Sequence, residues 1–297
     1  MANQDAQTRG PVGVIGLGNM GGGMVKALAR KGYNVIAYDV SEPARKRASE
    51  GSDGVLVVDS LEQVLDRART VVISLPRPEH VGAVLGENGL LKTSRPATLV
   101  IDASTNSPTL TIELGKKLAG QGHALVDAPV SGGARGAAEG TLSIMVGGSD
   151  DDIEAAMPIL NALGTTVKAI GMSGTGQIAK LVNNVLTAAN RVAAGEAFFV
   201  GSRAGVPVED LVTVVNASSG GSRITEKNYP AFVLTGAFNS GMTMGLLEKD
   251  ISLMLALAEQ TGSSVPVLKA VVERWRTLRE HHGYDADAMR STQIADL

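Results

Sequence analysis

The chain has no cysteine and only four histidines, His80, His123, His281 and His282, in 297 residues. The first absence excludes a disulfide scaffold, a thiol nucleophile and any Cys-ligated zinc or iron–sulfur site. The scarcity of imidazole narrows metal binding and proton transfer almost as far, so no metal site is expected and another base must move protons. Aromatic residues are few, one Trp, four Tyr and four Phe, and too scattered to form a base-stacking platform. A net charge of −3 with 19% charged residues leaves no basic stripe to neutralise phosphates, so nucleic acid is not an expected partner. No window approaches the roughly 18 uninterrupted apolar residues that a membrane helix needs. The stretch Met1 to Gly10 is polar and lacks the apolar core of a signal peptide or the Arg-rich face of a transit peptide. It reads as a loose tail on a cytoplasmic protein.

What is abundant is small and apolar: 36 Gly and 44% hydrophobic residues, a composition for backbones that approach closely. The length suits two domains at roughly 150 residues each. Up to about residue 170 the short runs Val12 to Ile15, Asn34 to Tyr38, Val71 to Leu75, Thr98 to Asp102 and Ala124 to Asp127 are rich in β-branched residues. They read as strands buried on both faces, as in a parallel sheet. Helix starts lie between them: Ser60 three residues before Gln63, Ser107 before Pro108, and Ser149 before Asp150, Asp151 and Asp152. Strand and helix in alternation give a doubly wound α/β domain over 11–170. Beyond Gly174 the pattern changes. Gln177 to Ala204 reads as one helix about 42 Å long at 1.5 Å per residue, followed by helical segments at Val208 to Ala217, Leu246 to Gln260 and Pro266 to His281. The second domain, 171–297, is therefore expected to be all-helical, and no internal repeat interrupts either half.

The sharpest local motif is Gly16-Leu17-Gly18-Asn19-Met20-Gly21. A dinucleotide site needs a tight turn at the first glycine, no side chain at the second where pyrophosphate approaches the backbone, and close helix packing at the third. The helix that follows, Met20 to Arg30, offers its free N–H groups and partial positive charge to the phosphates. A structural Gly-rich turn, or a site for S-adenosylmethionine, is the competing reading. Asp39 closes the next strand, 18 residues after Gly21. A carboxylate there accepts the ribose hydroxyls of NAD and repels the 2′-phosphate of NADP. The next cations, Arg45 and Lys46, fall within the following helical segment, so NAD is expected over NADP.

Two further stretches carry potential chemistry. Asp127-Ala128-Pro129-Val130-Ser131-Gly132-Gly133 follows a strand, and its Ser-Gly-Gly backbone is free to turn successive N–H groups toward an anion; a plain Gly-rich loop is the alternative. In Gly174 to Asn184, the spacing puts Lys180 and Asn184 on one helix face with Asn183 beside them. A helical lysine is commonly just solvated, yet adjacent amides on an Ala/Val/Leu helix are costly to bury unless they bind something.

From Val12 to about Ala288 the chain resembles the β-hydroxyacid dehydrogenases, the family of 3-hydroxyisobutyrate dehydrogenase and tartronate semialdehyde reductase. The likeness rests on four motifs in order: GLGNMGGGM at Gly16 to Met24, DAPVSGGARGAAEGTLSIMVGG at Asp127 to Gly148, GTGQIAKLVNN at Gly174 to Asn184, and the pair Lys249-Asp250. The resemblance implies a Rossmann domain joined by a long helix to a helical domain of the 6-phosphogluconate dehydrogenase-like type, with Lys180 as the catalytic residue. It implies that Ser131, Gly132 and Gly133 hold the substrate carboxylate, that Asn184 assists, and that Lys249 contacts substrate and cofactor. Gly16, Leu17, Gly18, Asn19, Met20, Gly21 and Asp39 would bind NAD, with Leu75, Pro76 and Thr105 lining its nicotinamide side. His80 falls where relatives often have Asn. Arg223, in the loop Ser218 to Arg223, is either a contact to a second polar group of the substrate or simply surface.

The implied reaction is oxidation of the hydroxyl of a small β-hydroxy acid, 3-hydroxyisobutyrate-like, to a semialdehyde or ketone, the cofactor taking the hydride. A lysine with a reference pKa of about 10.4 serves as the base only when burial or a nearby cation lowers it, and Lys249 is the candidate cation. In reverse, protonated Lys180 would donate to the carbonyl. Alternatives within the class are reduction of tartronate semialdehyde and dehydrogenation of L-threonate or serine. A His-dependent 2-hydroxy acid dehydrogenase fits poorly, since His281 and His282 read as a solvated helix end, and imine reductases usually lack the lysine. A non-catalytic NAD-binding module is the remote reading from another class. The resemblance also implies a homodimer or homotetramer.

Overall fold

The computed structural model describes residues 10–50, 53–87, 89–92 and 95–294, so the polar tail at 1–9 lies outside the described residues. The chain forms two compact units, Met1–Lys180 and Leu181–Leu297.

The first unit alternates strand and helix: β1 (Val12–Ile15), α1 (Asn19–Arg30), β2 (Val35–Tyr38), α2 (Glu42–Ser49), β3 (Val55–Val57), α3 (Leu61–Arg67), β4 (Thr70–Ile73), α4 (Pro78–Leu85), β5 (Leu99–Asp102), α5 (Pro108–Ala119) and β6 (Ala124–Asp127). These six strands are parallel, in the order β3-β2-β1-β4-β5-β6. The four central strands bury most of their side chains, because helices cover both faces. On one face Met24, Val25 and Leu28 of α1 pack with Ala44 and Ala48 of α2. On the other, Val64 and Leu65 of α3, Val81 and Leu85 of α4 and Leu114 and Leu118 of α5 make a second core. The strand order reverses between β1 and β4, the point where open α/β sheets bind ligands beyond their carboxyl ends.

The sheet continues through β7 (Val130–Ser131), α6 (Gly133–Glu139), β8 (Leu142–Gly147), α7 (Asp150–Leu163) and β9 (Gly164–Gly171). Here β8 pairs antiparallel with β6 and β7, and parallel with β9. Together with β3, these are the strands not singled out in the sequence. β3 is an apolar run of only three residues, Val55–Val57, and β9 is an edge strand whose side chains are mostly exposed.

The serine caps behave as the sequence implies, with one refinement. Ser60, Ser107 and Ser149 accept the N–H of Gln63, Leu110 and Asp152. Gln63 Oε1, however, returns to the N–H of Asp59, one residue before the cap.

The long helix α8 (Thr175–Arg203, 29 residues) crosses the division between the units. The second unit continues with α9 (Val208–Asn216), a π-helical segment at Ile224–Val233, α10 (Met244–Gln260) and α11 (Pro266–His282). Its core gathers Val185, Ala188 and Val192 of α8 with Leu247 and Ile251 of α10 and Val272, Trp275 and Leu278 of α11. Trp275 is fully buried, and its indole N–H is satisfied by the carbonyl of Met244 at 3.0 Å. A smaller cluster joins Phe198, Val212, Ile224 and Tyr229. The π-helical segment is not announced by sequence, because Pro230 lies inside it and reads as a helix break. Among the described residues no helix is long and apolar enough to cross a membrane.

Candidate active site

β1 ends in the Gly-rich turn, and each glycine has a separate reason. Gly16 has φ +90°, and a Cβ there would lie 2.3 Å from the carbonyl oxygen of Ser74. At Gly21 a Cβ would lie 1.8 Å from the carbonyl oxygen of Gly16, so the helix packs directly on the turn. Gly18, the N-cap of α1, meets nothing within 4 Å. A tight turn, an open cradle and an exposed helix start are what a pyrophosphate requires, so these residues fit NAD. Leu17 is buried, Asn19 is exposed and Met20 is half-buried against the core.

Asp39 follows β2 and reaches back to this turn. Its Oδ2 accepts the N–H of Leu17 at 2.6 Å and its Oδ1 that of Ser41 at 2.7 Å. The carboxylate thus braces the Gly-rich turn, and each oxygen retains a lone pair to accept a further donor. Arg45 is closer to this corner than its place in a helix suggests. Its Nη1 donates to the carbonyls of Asp39 at 2.7 Å and Val40 at 3.2 Å.

Leu75, Pro76 and Thr105 lie just past the carboxyl ends of β4 and β5. Leu75 and Thr105 are half-buried, whereas Pro76 and His80 are exposed. The two loops are tied together, since Leu75 N–H donates to Ser104 Oγ at 2.9 Å. Below Ser104, Asp102 is almost fully buried, and its Oδ1 accepts the N–H of Ser104 at 2.9 Å. Burial, offset in part by the hydrogen bonds of Ser104, pushes this carboxyl up to about 6.

The third strand end carries Asp127. Its carboxylate accepts the backbone N–H of Gly174 at 2.8 Å and of Gln177 at 3.0 Å, closing the start of α8. Such a cap satisfies donors that the first helical turn leaves without partners. Burial raises the pKa of Asp127, and the backbone bonds hold it down. Gln177 is fully buried, and its side chain bridges to the β5 loop, accepting the N–H of Asn106 at 2.8 Å and donating to the carbonyl of Ser104 at 3.0 Å. One turn on, Lys180 is 8% exposed. Ser131 ends β7, and Gly132 and Gly133 follow with φ +136° and +67°. The Ser-Gly-Gly backbone therefore adopts a turn open only to glycine.

In the second unit, Asn184 and Lys249 share one partner. Asn184 Nδ2 donates to Asp250 Oδ2 at 2.7 Å, and Lys249 Nζ stands 2.8 Å from Asp250 Oδ1. Asn183 extends the chain by donating to Asn184 Oδ1 at 3.0 Å. Arg223 is exposed at the entry to the π-helical turn. The helix end at His281 and His282 is only partly solvated. His281 is exposed, but His282 Nε2 is buried without a hydrogen-bond partner and burial lowers its pKa. Among the described residues, no group of three His, Asp or Glu is placed to hold a metal ion.

The residues that motif reading overlooked are Asp102, Gln177 and Asp250. All three lie inside quoted motifs or at strand ends; the available signal at Asp102 was a polar residue closing an apolar run.

A doubly wound sheet with a pyrophosphate turn at its switch point and a buried lysine on the helix that follows its last strand, β9, defines a dinucleotide-dependent dehydrogenase. The comparisons make this specific. Residues 11–171 match the NAD binding domain of 6-phosphogluconate dehydrogenase, and residues 174–294 the NAD-binding domain of NADP-dependent 3-hydroxyisobutyrate dehydrogenase. The human mitochondrial 3-hydroxyisobutyrate dehydrogenase is 36% identical over 272 residues, covering 89% of this chain and 80% of that protein. An NAD-dependent L-serine dehydrogenase of Pseudomonas aeruginosa is 33% identical over 277 residues, covering 90% and 91%. The solved structure of Mycobacterium tuberculosis 3-hydroxyisobutyrate dehydrogenase with L-serine superposes with a TM-score of 0.86 at 31% identity, covering 96% of this chain and 99% of that one. The chain belongs to the β-hydroxyacid dehydrogenase family, NAD(P)-dependent enzymes acting on CH–OH donors.

Proposed function

We propose that the protein oxidises the hydroxyl of a small β-hydroxy acid, of the size of 3-hydroxyisobutyrate or L-serine, with Lys180 as the acid/base. The observation that carries this reading is the burial of Lys180 on the turn of α8 that Asp127 and Gln177 tie to the ends of β6 and β5, the edge where a doubly wound sheet binds its ligands. The names of the human and Pseudomonas relatives supply the substrate class.

Bound NAD supplies the hydride acceptor. The backbone N–H groups of Ser131, Gly132 and Gly133 hold the substrate carboxylate in the turn that only glycine permits. Lys180 Nζ, in its neutral form, takes the proton of the substrate hydroxyl as the C–H electron pair departs as hydride and the carbonyl forms. In reduction the protonated amine returns that proton to the carbonyl oxygen. Asn184 contributes a hydrogen bond to the substrate, and Lys249 a contact to substrate and cofactor. Asp250 supports both assignments, since it anchors the two side chains.

Asp39 beside the Gly-rich turn supports NAD over NADP, because its carboxylate repels a 2′-phosphate. A catalytic efficiency with NADP at or above that with NAD would overturn this preference. The family resemblance and the exposed apolar side chains of Val182 and Leu186, one turn apart on α8, support a homodimer or homotetramer. Light scattering on the purified chain tests that.

The decisive experiment follows NADH formation over 3-hydroxyisobutyrate, L-serine, glycerate, L-threonate and 2-(hydroxymethyl)glutarate, with wild type and Lys180→Ala. The expected result is turnover of at least one acid by the wild type and its loss in the variant, with NAD affinity retained. Turnover by Lys180→Ala near the wild-type rate refutes the assignment of the lysine, and inactivity of the wild type on every acid refutes the substrate class.

A further inference from the structure

We propose that Gln177 is a positioning residue for the reaction: it sets the distance between the nicotinamide-lining loop at Thr105 and the proton-transfer group of Lys180. The inference rests on the assignment of Lys180 given above.

A side-chain amide offers an acceptor and a donor in one planar fork. Gln177 uses one arm on each neighbour of Thr105, taking the N–H of Asn106 at 2.8 Å and giving to the carbonyl of Ser104 at 3.0 Å. Thr105 is therefore bracketed. The same residue is held at its backbone by Asp127 Oδ2 at 3.0 Å, so the amide spans the ends of β5 and β6. Ser104 in turn receives the N–H of Leu75 at 2.9 Å, which brings the end of β4 into the set. Lys180 follows Gln177 by three residues and shares its helix face. Gln177 is thus hydrogen-bonded on both sides of Thr105, Ser104 carries the link on to Leu75, and Lys180 stands one helical turn from Gln177. Hydrogen bonds buried at low dielectric stiffen the groups they join, here the Gln177 amide, the Ser104 carbonyl and the Asn106 N–H.

Stiffness matters here because the reacting atoms must be held at near-attack distance, and a misplacement of about 1 Å costs on the order of 100-fold in rate. A glutamine that merely stabilised the helix start would act on folding and leave the chemical step alone. The two roles separate experimentally.

Two variants make the test. Gln177→Met keeps the length of the side chain and removes both polar arms. Gln177→Glu keeps the acceptor for Asn106 at every pH, but donates to the Ser104 carbonyl only when protonated. Its carboxyl would lie among Asp102 from β5, Asp127 from β6 and Lys180 of its own helix. Each is assayed with the best acid of the panel above, as kcat per folded molecule with the folded fraction read by circular dichroism. For Gln177→Met the expected result is a fall in kcat of about tenfold or more, with NAD affinity and KM within about threefold of wild type. The primary deuterium isotope effect from substrate labelled at the carbinol carbon should rise. For Gln177→Glu, kcat relative to wild type at the same pH should recover as the pH is lowered. A Gln177→Met enzyme with wild-type kcat and isotope effect overturns the proposal. So does a Gln177→Glu ratio that is flat with pH, which alone decides the matter where the Met variant fails to fold. An active Lys180→Ala sinks the assignment on which the inference rests; an inactive Lys180→Ala beside a wild-type-like Gln177→Met sinks the inference alone.

Discussion

Asp250 accepts the side-chain amide of Asn184 at 2.7 Å while its other oxygen lies 2.8 Å from Lys249 Nζ. One buried carboxylate thus orients two residues from different helices, each assigned a role toward the substrate. Removing it takes from a mostly buried ammonium and a buried amide the carboxylate that both contact, a loss of about 3 kcal/mol for a pair of this kind. Asp250→Ala is expected to lower stability by that order in urea unfolding and to raise KM for the hydroxy acid. Asp250→Asn, which keeps the shape and an acceptor for Asn184, should recover most of the stability and less of the KM. A KM unchanged in both variants would remove Asn184 and Lys249 from substrate binding.

Gly18 and Gly23 separate ligand room from packing room on one helix. A Cβ at Gly18 meets nothing within 4 Å, whereas at Gly23 it would lie 2.8 Å from the backbone nitrogen of Ala138 and 2.9 Å from the Cβ of Ala137. Gly18→Ala is therefore expected to melt within about 1 °C of wild type and to lose NAD affinity, because the methyl group occupies the pyrophosphate cradle. Gly23→Ala must push α6 away from α1 and should cost about 1–3 kcal/mol. Thermal melts with and without NAD check both. Equal NAD affinity in Gly18→Ala and wild type would place the pyrophosphate elsewhere.

The legibility of these features follows their physics. β1, β2, β4, β5 and β6 announce themselves because burial on both faces forces apolar runs, and the pyrophosphate turn because its steric demands allow only glycine. Lys180, Asn184 and the Ser131-Gly132-Gly133 turn lie in sequence runs whose residue types are unusual for their surroundings. Gln177 reaches Ser104, which is 73 residues away, Asp250 reaches Asn184, which is 66 residues away, and Asp102 acts through burial at a strand end; local spacing carries no trace of such pairings. β9 stays hidden because an exposed edge strand has no hydrophobic pattern to show.

Asp102 gives the fold a pH dependence of definite sign. Burial lifts its carboxyl from the ordinary 3.8 to about 6, so between those values the folded protein holds more proton than the unfolded chain. Stability from this group therefore falls as the pH rises from about 4 to 6, and the full penalty, at most about 3 kcal/mol, is present at neutral pH. Asp102→Asn keeps an oxygen for the Ser104 N–H and removes the charge. Relative to wild type, the variant should gain 1–3 kcal/mol between pH 4 and pH 7, read from urea unfolding at each pH. A stability difference that does not change with pH would show that Asp102 titrates as an ordinary carboxyl.

Arg191 presents the same cost with the opposite charge. It is buried on α8 beside Ala188 and Val192, and neither its Nε nor its Nη1 has a hydrogen-bond partner among the described residues. Burial draws its pKa down to about 10, with Asp287 opposing, so it stays charged at neutral pH and bears the desolvation. Asp287 does not depend on it, since that carboxylate already accepts Ser240 Oγ and the N–H groups of Gly241 and Met289. A side chain of similar length without the charge should pack among the apolar residues of the second unit. Arg191→Met is accordingly expected to stabilise the protein by about 1–2 kcal/mol and to raise Tm by about 2–4 °C. Differential scanning calorimetry decides the sign, and a Tm lowered by several degrees would mean that the guanidinium finds in solution the partners it lacks here.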